Sequence, residues 1–371
     1  MHAKNFVCFK CGREYSMEPV LFECPSCNYS LDIEYNYSEL RKLVKRYEFL
    51  NDQIRHWKYW MFYPIKDLSK IVSLQEGGTP LIHSNKIRDY HFKFEGSNPT
   101  GSFKDRGSTV EVSKALELGV KEIACASTGN MGASIAAYSA KAGINATIFV
   151  PGFATKEKFA QISAHGARIV RVKGSYDDAV KKTKQLKKKR NVYLMGDYPF
   201  RGEGEKSIAF EVIEQLNYEV PDFIVSPIGN GTLIYSVFKG LNEFRKAGLI
   251  KKIPRIVGVQ VNKCSPVVKA WKNNLKEILV IKNFSTIATA IACGNPVDGL
   301  EALHAIKASK GLAEEVTEKE ILSAQKELGK EGLYAEPSGA VSFAGAKKLG
   351  LKGRVACIVT GHGLKDTKKY S

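Results

Sequence analysis

The sequence predicts an α/β protein of two doubly wound, mainly parallel-sheet domains preceded by a small zinc ribbon. Three observations carry this. From about His91 onward, short β-branched runs alternate with helix-length amphipathic segments, the pattern of strands joined by crossover helices. Two Cys-x2-Cys pairs stand ahead of that alternation. The 371 residues suffice for two ordinary domains whose cores need no disulfides.

The ribbon rests on Cys8, Cys11, Cys24 and Cys27, two knuckles separated by a hairpin-length spacer, the spacing that sets four thiolates around one tetrahedral Zn2+. Gly12 and Pro25 suit the tight turns. Four protein ligands leave no open position, so the metal is expected to be structural. Two disulfides, or four unrelated buried thiols, are the alternatives, and disulfides fit a reducing compartment poorly. A ribbon can also bind nucleic acid, but Lys4, Lys10 and Arg13 are outnumbered here by Glu14, Glu18, Glu23, Asp32 and Glu34. That acidic balance suits phosphates badly, and no nucleic-acid partner is expected. Cys125, Cys264, Cys293 and Cys357 lie singly among apolar residues and are expected to be buried thiols.

Hydrophobic residues at 44% and charged ones at 25% exclude a disordered or fibrous chain. Apolar runs such as Ala146–Val150 fall far short of the ~20 residues a bilayer span needs, so no membrane partner is expected. No secretory signal is recognisable, which predicts a cytoplasmic protein. The net charge of +18 would attract phosphate in any form. Its densest run, Lys181 to Arg190, follows Asp177 and Asp178 on an expected helix, with acids in the first turn and bases in the last, as the helix dipole favours. Without interleaved aromatics, the run is expected to be a solvated face. The aromatic-rich stretch from Tyr35 to Lys86 is expected to pack inward.

Strands are expected at Glu122–Ala126, Ala146–Val150, Arg168–Val172, Val192–Met195, Phe223–Ser226, Arg255–Val261 and Arg354–Val359. In such sheets ligands bind beyond the carboxyl ends of strands, and three loops stand out. In Gly96 to Gly107, a turn and a capping Ser102 place Lys104 in a first helical turn. There the helix dipole and nearby Arg106 would disfavour an ammonium and favour the amine that forms imines, although taken alone the loop fits an ordinary solvated surface lysine better. Ser127-Thr128-Gly129-Asn130, between a strand and the helix Met131–Ala142, is either a carboxylate cradle or a plain capped turn. Gly229-Asn230-Gly231-Thr232, before the helix Leu233–Phe244, is either a phosphate cup or a glycine turn.

Together, Ser97 to Gly107 (Ser-Asn-Pro-Thr-Gly-Ser-Phe-Lys-Asp-Arg-Gly), Ser127 to Asn130, Gly229 to Thr232 and Thr360 to Asp366 (Thr-Gly-His-Gly-Leu-Lys-Asp) resemble the threonine synthases of the pyridoxal-phosphate fold type II family. Their amino-terminal ribbon is similar too. The resemblance implies a pyridoxal 5'-phosphate cofactor carried by Lys104, with Phe103 beside its ring and Asn130 at its phenolic oxygen. Gly229, Asn230, Gly231 and Thr232 would hold its phosphate, and Thr360 would face the pyridine nitrogen. Ser127, Thr128 and Arg201 would bind the substrate. It further implies a lyase in which Lys104 moves protons at Cα and Cβ, phosphate leaves Cγ of O-phosphohomoserine and water adds at Cβ to give threonine. A homodimer and a small anionic, phosphorylated amino-acid substrate are part of the same expectation. The implied domains are 1–34 for the ribbon, 35–91 plus 196–371 for the cofactor-binding domain, and 92–195 for the small domain bearing Lys104 and the Ser127–Asn130 loop.

Three positions depart from the family pattern. Met131 replaces a threonine after Ser-Thr-Gly-Asn, and Met195 and Gly196 replace polar residues ahead of Arg201. Lost polar contacts of this kind change preference between substrates, which leaves β-replacement on O-phosphoserine, as in cysteate synthase-like enzymes, or a serine/threonine dehydratase as alternatives.

Overall fold

The computed structural model describes residues 2–46, 53–127, 129–151, 156–174, 176–190, 192–196 and 199–367. The ribbon is β1 (Ala3–Cys8), β2 (Glu14–Ser16) and β3 (Leu31–Tyr35), followed by α1 (Tyr37–Arg46). Next come β4 (Leu81–His83), β5 (Tyr90–Phe94), α2 (Lys104–Glu117), β6 (Glu122–Ala126), α3 (Asn130–Ala142), β7 (Asn145–Pro151), α4 (Lys156–Ala164), β8 (Arg168–Val172), α5 (Tyr176–Lys189) and β9 (Tyr193–Met195). The chain continues through α6 (Pro199–Glu205), α7 (Ser207–Gln215), β10 (Phe223–Pro227), α8 (Thr232–Ala247), β11 (Arg255–Val261), α9 (Pro266–Lys272) and α10 (Gly299–Ala308). It ends with β12 (Leu312–Val316), α11 (Glu318–Lys330), α12 (Pro337–Lys348) and β13 (Val355–Val359).

The ribbon strands pair antiparallel in the order β2-β1-β3. A four-stranded parallel sheet runs β8-β7-β6-β9, and a six-stranded sheet runs β12-β11-β10-β13-β5-β4, parallel except for β4. All seven expected strands are present, each to within a residue or so at its ends. Outside the ribbon, β4, β5 and β12 are additional to those seven. The expected start of the small domain at residue 92 falls inside β5, whose Tyr90–Phe94 pairs in register with Val355–Val359 of the six-stranded sheet. The small sheet therefore begins with β6.

β5 reads Tyr-His-Phe-Lys-Phe, and the lysine hid it: Lys93 is fully buried yet bonds Glu211 at 2.6 Å, the Thr79 carbonyl at 2.7 Å and Gln215 at 2.8 Å. Glu211 also meets Arg106 at 2.6 and 2.8 Å, and Glu95 takes the other edge of that guanidinium at 2.6 and 2.8 Å. Burial alone would lower the Arg106 pKa, but Glu211 and Glu95 outweigh it and hold the group charged. Four buried charges that satisfy one another fix α2, β5 and α7 in one arrangement, since any lone member would be strongly unfavourable.

The ribbon is not a satellite. Phe6, Cys8, Leu31, Ile33 and Tyr35 share one apolar cluster with Phe200, Ile208 and Leu241. The basic helix α5 is less solvated than its sequence suggests: Lys184 lies 3.5 Å from Glu23 of the ribbon, and Lys187 sits 3.9 Å over the Phe22 ring. No described helix is long and apolar enough to cross a membrane.

Candidate active site

The expected loops all follow carboxyl ends of strands: β5 leads to Lys104, β6 to Ser127, β10 to Gly229 and β13 to Thr360. Phe103 donates its backbone N–H to the Thr360 carbonyl at 3.1 Å, His362 donates to Gly101 at 2.9 Å, and Ser102 forms a bridge with Gly361. The start of α2 is thereby stitched to the end of β13. Phe103, not Ser102, precedes the helix, and the Ser102 hydroxyl is buried without a partner among the described residues.

Lys104 is the partly accessible member of this group. Its Nζ lies 4.3 Å from the Phe103 ring centre and 3.4 Å from Glu205 Oε1. The surroundings differ from the expected excess of positive charge, because Arg106 turns inward and is neutralised by two carboxylates while Glu205 faces the amine. Asp105, the next residue, is buried and accepts from Thr100 and Ser134; burial outweighs those donors and pushes its carboxyl up to about 6.

Asn130 opens α3, and its Nδ2 contacts both carboxylate oxygens of Glu336 at 2.9 and 3.1 Å, while its Oδ1 is buried and without a partner among the described residues. Glu336 in turn donates its backbone N–H to the Gly361 carbonyl at 3.0 Å. Ser127 serves the helix start, its Oγ accepting from Gly129 at 3.1 Å and Gly132 at 2.8 Å. Thr128 lies outside the described residues.

Gly229 to Thr232 form a turn into α8, with Gly231 at φ +104. A Cβ at Gly231 would sit 2.2 Å from the Asp298 carbonyl oxygen, so only glycine fits. Thr232 gives its hydroxyl proton to Asp298, which leaves the first-turn amides of α8 as the donors for an anion. The Asn130 side-chain amide, the glycine cradle and the accessible Lys104 fit a cofactor with a ring oxygen, a phosphate and a carbonyl carbon.

Arg201 turns inward, behind Glu205. It is fully buried, bonding Glu111 at 2.5 Å, Glu205 at 3.4 Å, Ser108 at 3.3 Å and the Gly196 carbonyl at 3.2 Å. Glu111 is pushed up to about 7 by burial, against the pull of Arg201 and the Gly196 amide. The three departures from the family pattern are neighbours: a Cβ at Gly196 would lie 3.3 Å from Met131 Cε, and Met131 and Met195 share one apolar cluster. Sequence reasoning missed Glu205 and Glu336, and it missed Lys158, which is buried with its chain directly over Gly129. Lys365, inside the closing motif, bonds the Thr100 carbonyl and Gln161, both at 2.6 Å; burial brings it down to about 8.

In the ribbon, Cys8, Cys11, Cys24 and Cys27 bring their sulfurs within 4.8 Å of one another, with 3.4 Å between Cys8 and Cys27 and 3.7 Å between Cys11 and Cys24. A tetrahedral thiolate site around zinc has sulfurs about 3.8 Å apart, so the four residues fit such an ion.

Residues 72–361 match the model of the pyridoxal-phosphate dependent enzyme family. The chain is 46% identical to threonine synthase of Methanocaldococcus jannaschii, covering 97% of this chain and 92% of that protein. It is 43% identical to threonine synthase of Methanosarcina acetivorans, covering 97% and 91%. Among solved structures, maize serine racemase superposes with a TM-score of 0.68 at 19% identity, covering 88% of this chain and 92% of that one. The processed form of threonine deaminase isoform 2 from Solanum lycopersicum gives 0.67 at 22%, covering 83% and 89%. These two likenesses establish the fold type II architecture. The chain belongs to the pyridoxal-phosphate dependent enzymes and, within them, to the threonine synthase family.

Proposed function

We propose that this cleft converts O-phosphohomoserine and water to threonine and phosphate, with Lys104 as the residue that carries pyridoxal phosphate. The observation that carries the reading is Lys104 Nζ at the mouth of α2, 3.4 Å from Glu205 and one residue from a main-chain tie to Thr360. When bound, the cofactor supplies an electron sink for carbanionic character beside the substrate amine. Lys104 takes and returns protons at Cα and Cβ. Glu205 holds the amine in place between turns of that cycle, and buried Arg201 fixes Glu205. Arg201 is therefore a positioning residue in this reading, not a substrate contact.

Asn130 offers one N–H to Glu336 and the second to the cofactor's ring oxygen. The amides of Gly229 to Thr232 take the cofactor phosphate, Thr360 faces the pyridine nitrogen with a neutral hydroxyl, and Phe103 flanks Lys104. The amides around Ser127 and Thr128 take the substrate carboxylate. Lys158 and Lys365 are the cations that suit the phosphate leaving Cγ. Cys8, Cys11, Cys24 and Cys27 hold a structural Zn2+ in this reading, and thiolates of this kind suit a reducing cytoplasm. The homodimer implied by the resemblance belongs to this reading and is checked by sedimentation.

The test is phosphate release with threonine formation from O-phosphohomoserine, run beside O-phosphoserine and threonine as competing substrates. Turnover of the first alone is expected. Release from O-phosphoserine alone, or oxoacid from threonine alone, would overturn the assignment. Borohydride reduction followed by peptide mapping is expected to label Lys104.

A further inference from the structure

The ribbon reaches the proposed cofactor site through Ser30. Ser30, three residues after Cys27, donates its hydroxyl to Asp298 Oδ1 at 2.7 Å. The other oxygen of Asp298 accepts from Thr232, and the Asp298 backbone N–H donates to the Asn230 carbonyl at 3.0 Å. Its own carbonyl oxygen crowds Gly231. Asp298 thus braces three of the four cup residues, and it immediately precedes α10.

Both knuckles fix the far end of this brace. The Ser30 carbonyl accepts from Phe9, which lies between Cys8 and Cys11, at 3.2 Å, and Cys24 donates its backbone N–H to the Tyr29 carbonyl at 2.9 Å. Flanking contacts run parallel: Tyr29 donates to Glu301 of α10 at 2.9 Å, and Asp32 accepts from Tyr235 of α8 at 2.7 Å and also pairs with Lys239. A ribbon whose role was only to cover apolar surface would need none of these polar links.

We infer that Ser30 and Asp298 are positioning residues for the phosphate cup, through which metal in the cysteine cluster sets the affinity for the cofactor. The inference rests on the proposed cofactor site and metal. With the knuckles closed, Ser30 holds Asp298, and Asp298 keeps Thr232 and the Asn230–Gly231 turn with their amides gathered at the start of α8. With the metal gone, the segment from Phe9 to Ser30 loses its common anchor and the turn loosens. A pre-organised turn binds an anion more tightly because less order is lost on binding.

The test compares wild type, Ser30→Ala and Ser30→Thr, and zinc-loaded with chelator-treated wild type. It reads pyridoxal-phosphate affinity by fluorescence titration and amide hydrogen exchange over residues 229–233. Ser30→Ala is expected to raise the cofactor dissociation constant roughly five- to tenfold, the worth of one hydrogen bond. It should also speed exchange in the cup, leave global melting nearly unchanged, and be rescued by Ser30→Thr. Chelation should move both readouts the same way, and zinc restore them. Asn5→Ala, in the central ribbon strand β1 where its side chain bonds only Glu14 of β2 among the described residues, is expected to change neither. Wild-type affinity in Ser30→Ala, or wild-type exchange in the cup after chelation, overturns the inference. Failure of wild type to bind pyridoxal phosphate at all would overturn the proposed function instead, while the exchange comparison still decides the brace.

Discussion

Asn130 of the small-sheet helix α3 reaches across to Glu336, at the start of α12 on the six-stranded sheet, placing its side-chain amide against both carboxylate oxygens at 2.9 and 3.1 Å. Both residues are buried, so the contact ties the two sheets at the cleft itself.

Glu336→Ala leaves that amide buried without its acceptor, at a cost of about 1–3 kcal/mol. Urea denaturation should record the loss, and the cofactor absorption band should shift as Asn130 moves. Glu336→Gln, which keeps an acceptor oxygen, should recover most of the stability. An unshifted band in Glu336→Ala would detach Asn130 from the cofactor.

Arg201 is surrounded by Glu111 and Glu205, all three fully buried. Arg201→Met strands two carboxylates, and a drop of about 3–5 kcal/mol in unfolding free energy is expected. A mere substrate contact would instead raise KM and leave stability alone. Equilibrium unfolding beside steady-state kinetics separates the two.

Asp105 titrates at about 6 in the folded protein against an ordinary value of 3.8. The folded state therefore holds the proton more tightly, and this group's contribution to stability is full below about pH 4, falls through the window from 4 to 6 and stays low above it. Asp105→Asn removes that decline. Between pH 4 and 7 the wild-type-minus-variant difference in unfolding free energy should change by on the order of 3 kcal/mol; a constant difference would refute the assignment.

Gly204 brings α6 against α2, where a Cβ would lie 1.9 Å from the Arg106 carbonyl oxygen. Backbone cannot yield as a flexible side chain does, so Gly204→Ala should cost about 1–3 kcal/mol or more. Because Glu205 moves with it, kcat should fall alongside the melting temperature.

The parallel strands were legible because a strand covered on both faces reads as a continuous apolar run, as Ile256–Val259 does. β12, Leu-Ala-Glu-Glu-Val, was not: it is an edge strand, and its two glutamates meet Lys272 and Lys348 along that edge. The glycine cup, the Lys104 turn and the cysteine knuckles could be read because each is a local motif. Glu205 and Glu336 could not, since nothing near either glutamate in sequence points to Lys104 or Asn130, which are about 100 and 206 residues away. Arg201 shows the same limit. An arginine beside a substrate loop reads alike whether its charge faces the cleft or is consumed by Glu111, 90 residues upstream.

The shared core of ribbon and body, where Phe6 meets Phe200 edge to face with ring centres 6.0 Å apart, bears on how this enzyme could be shortened. Trimming away the first three strands would uncover an oily stripe on α6 and α8, so any minimal version must first repaint those helices with hydrophilic side chains or it will clump before it can be assayed.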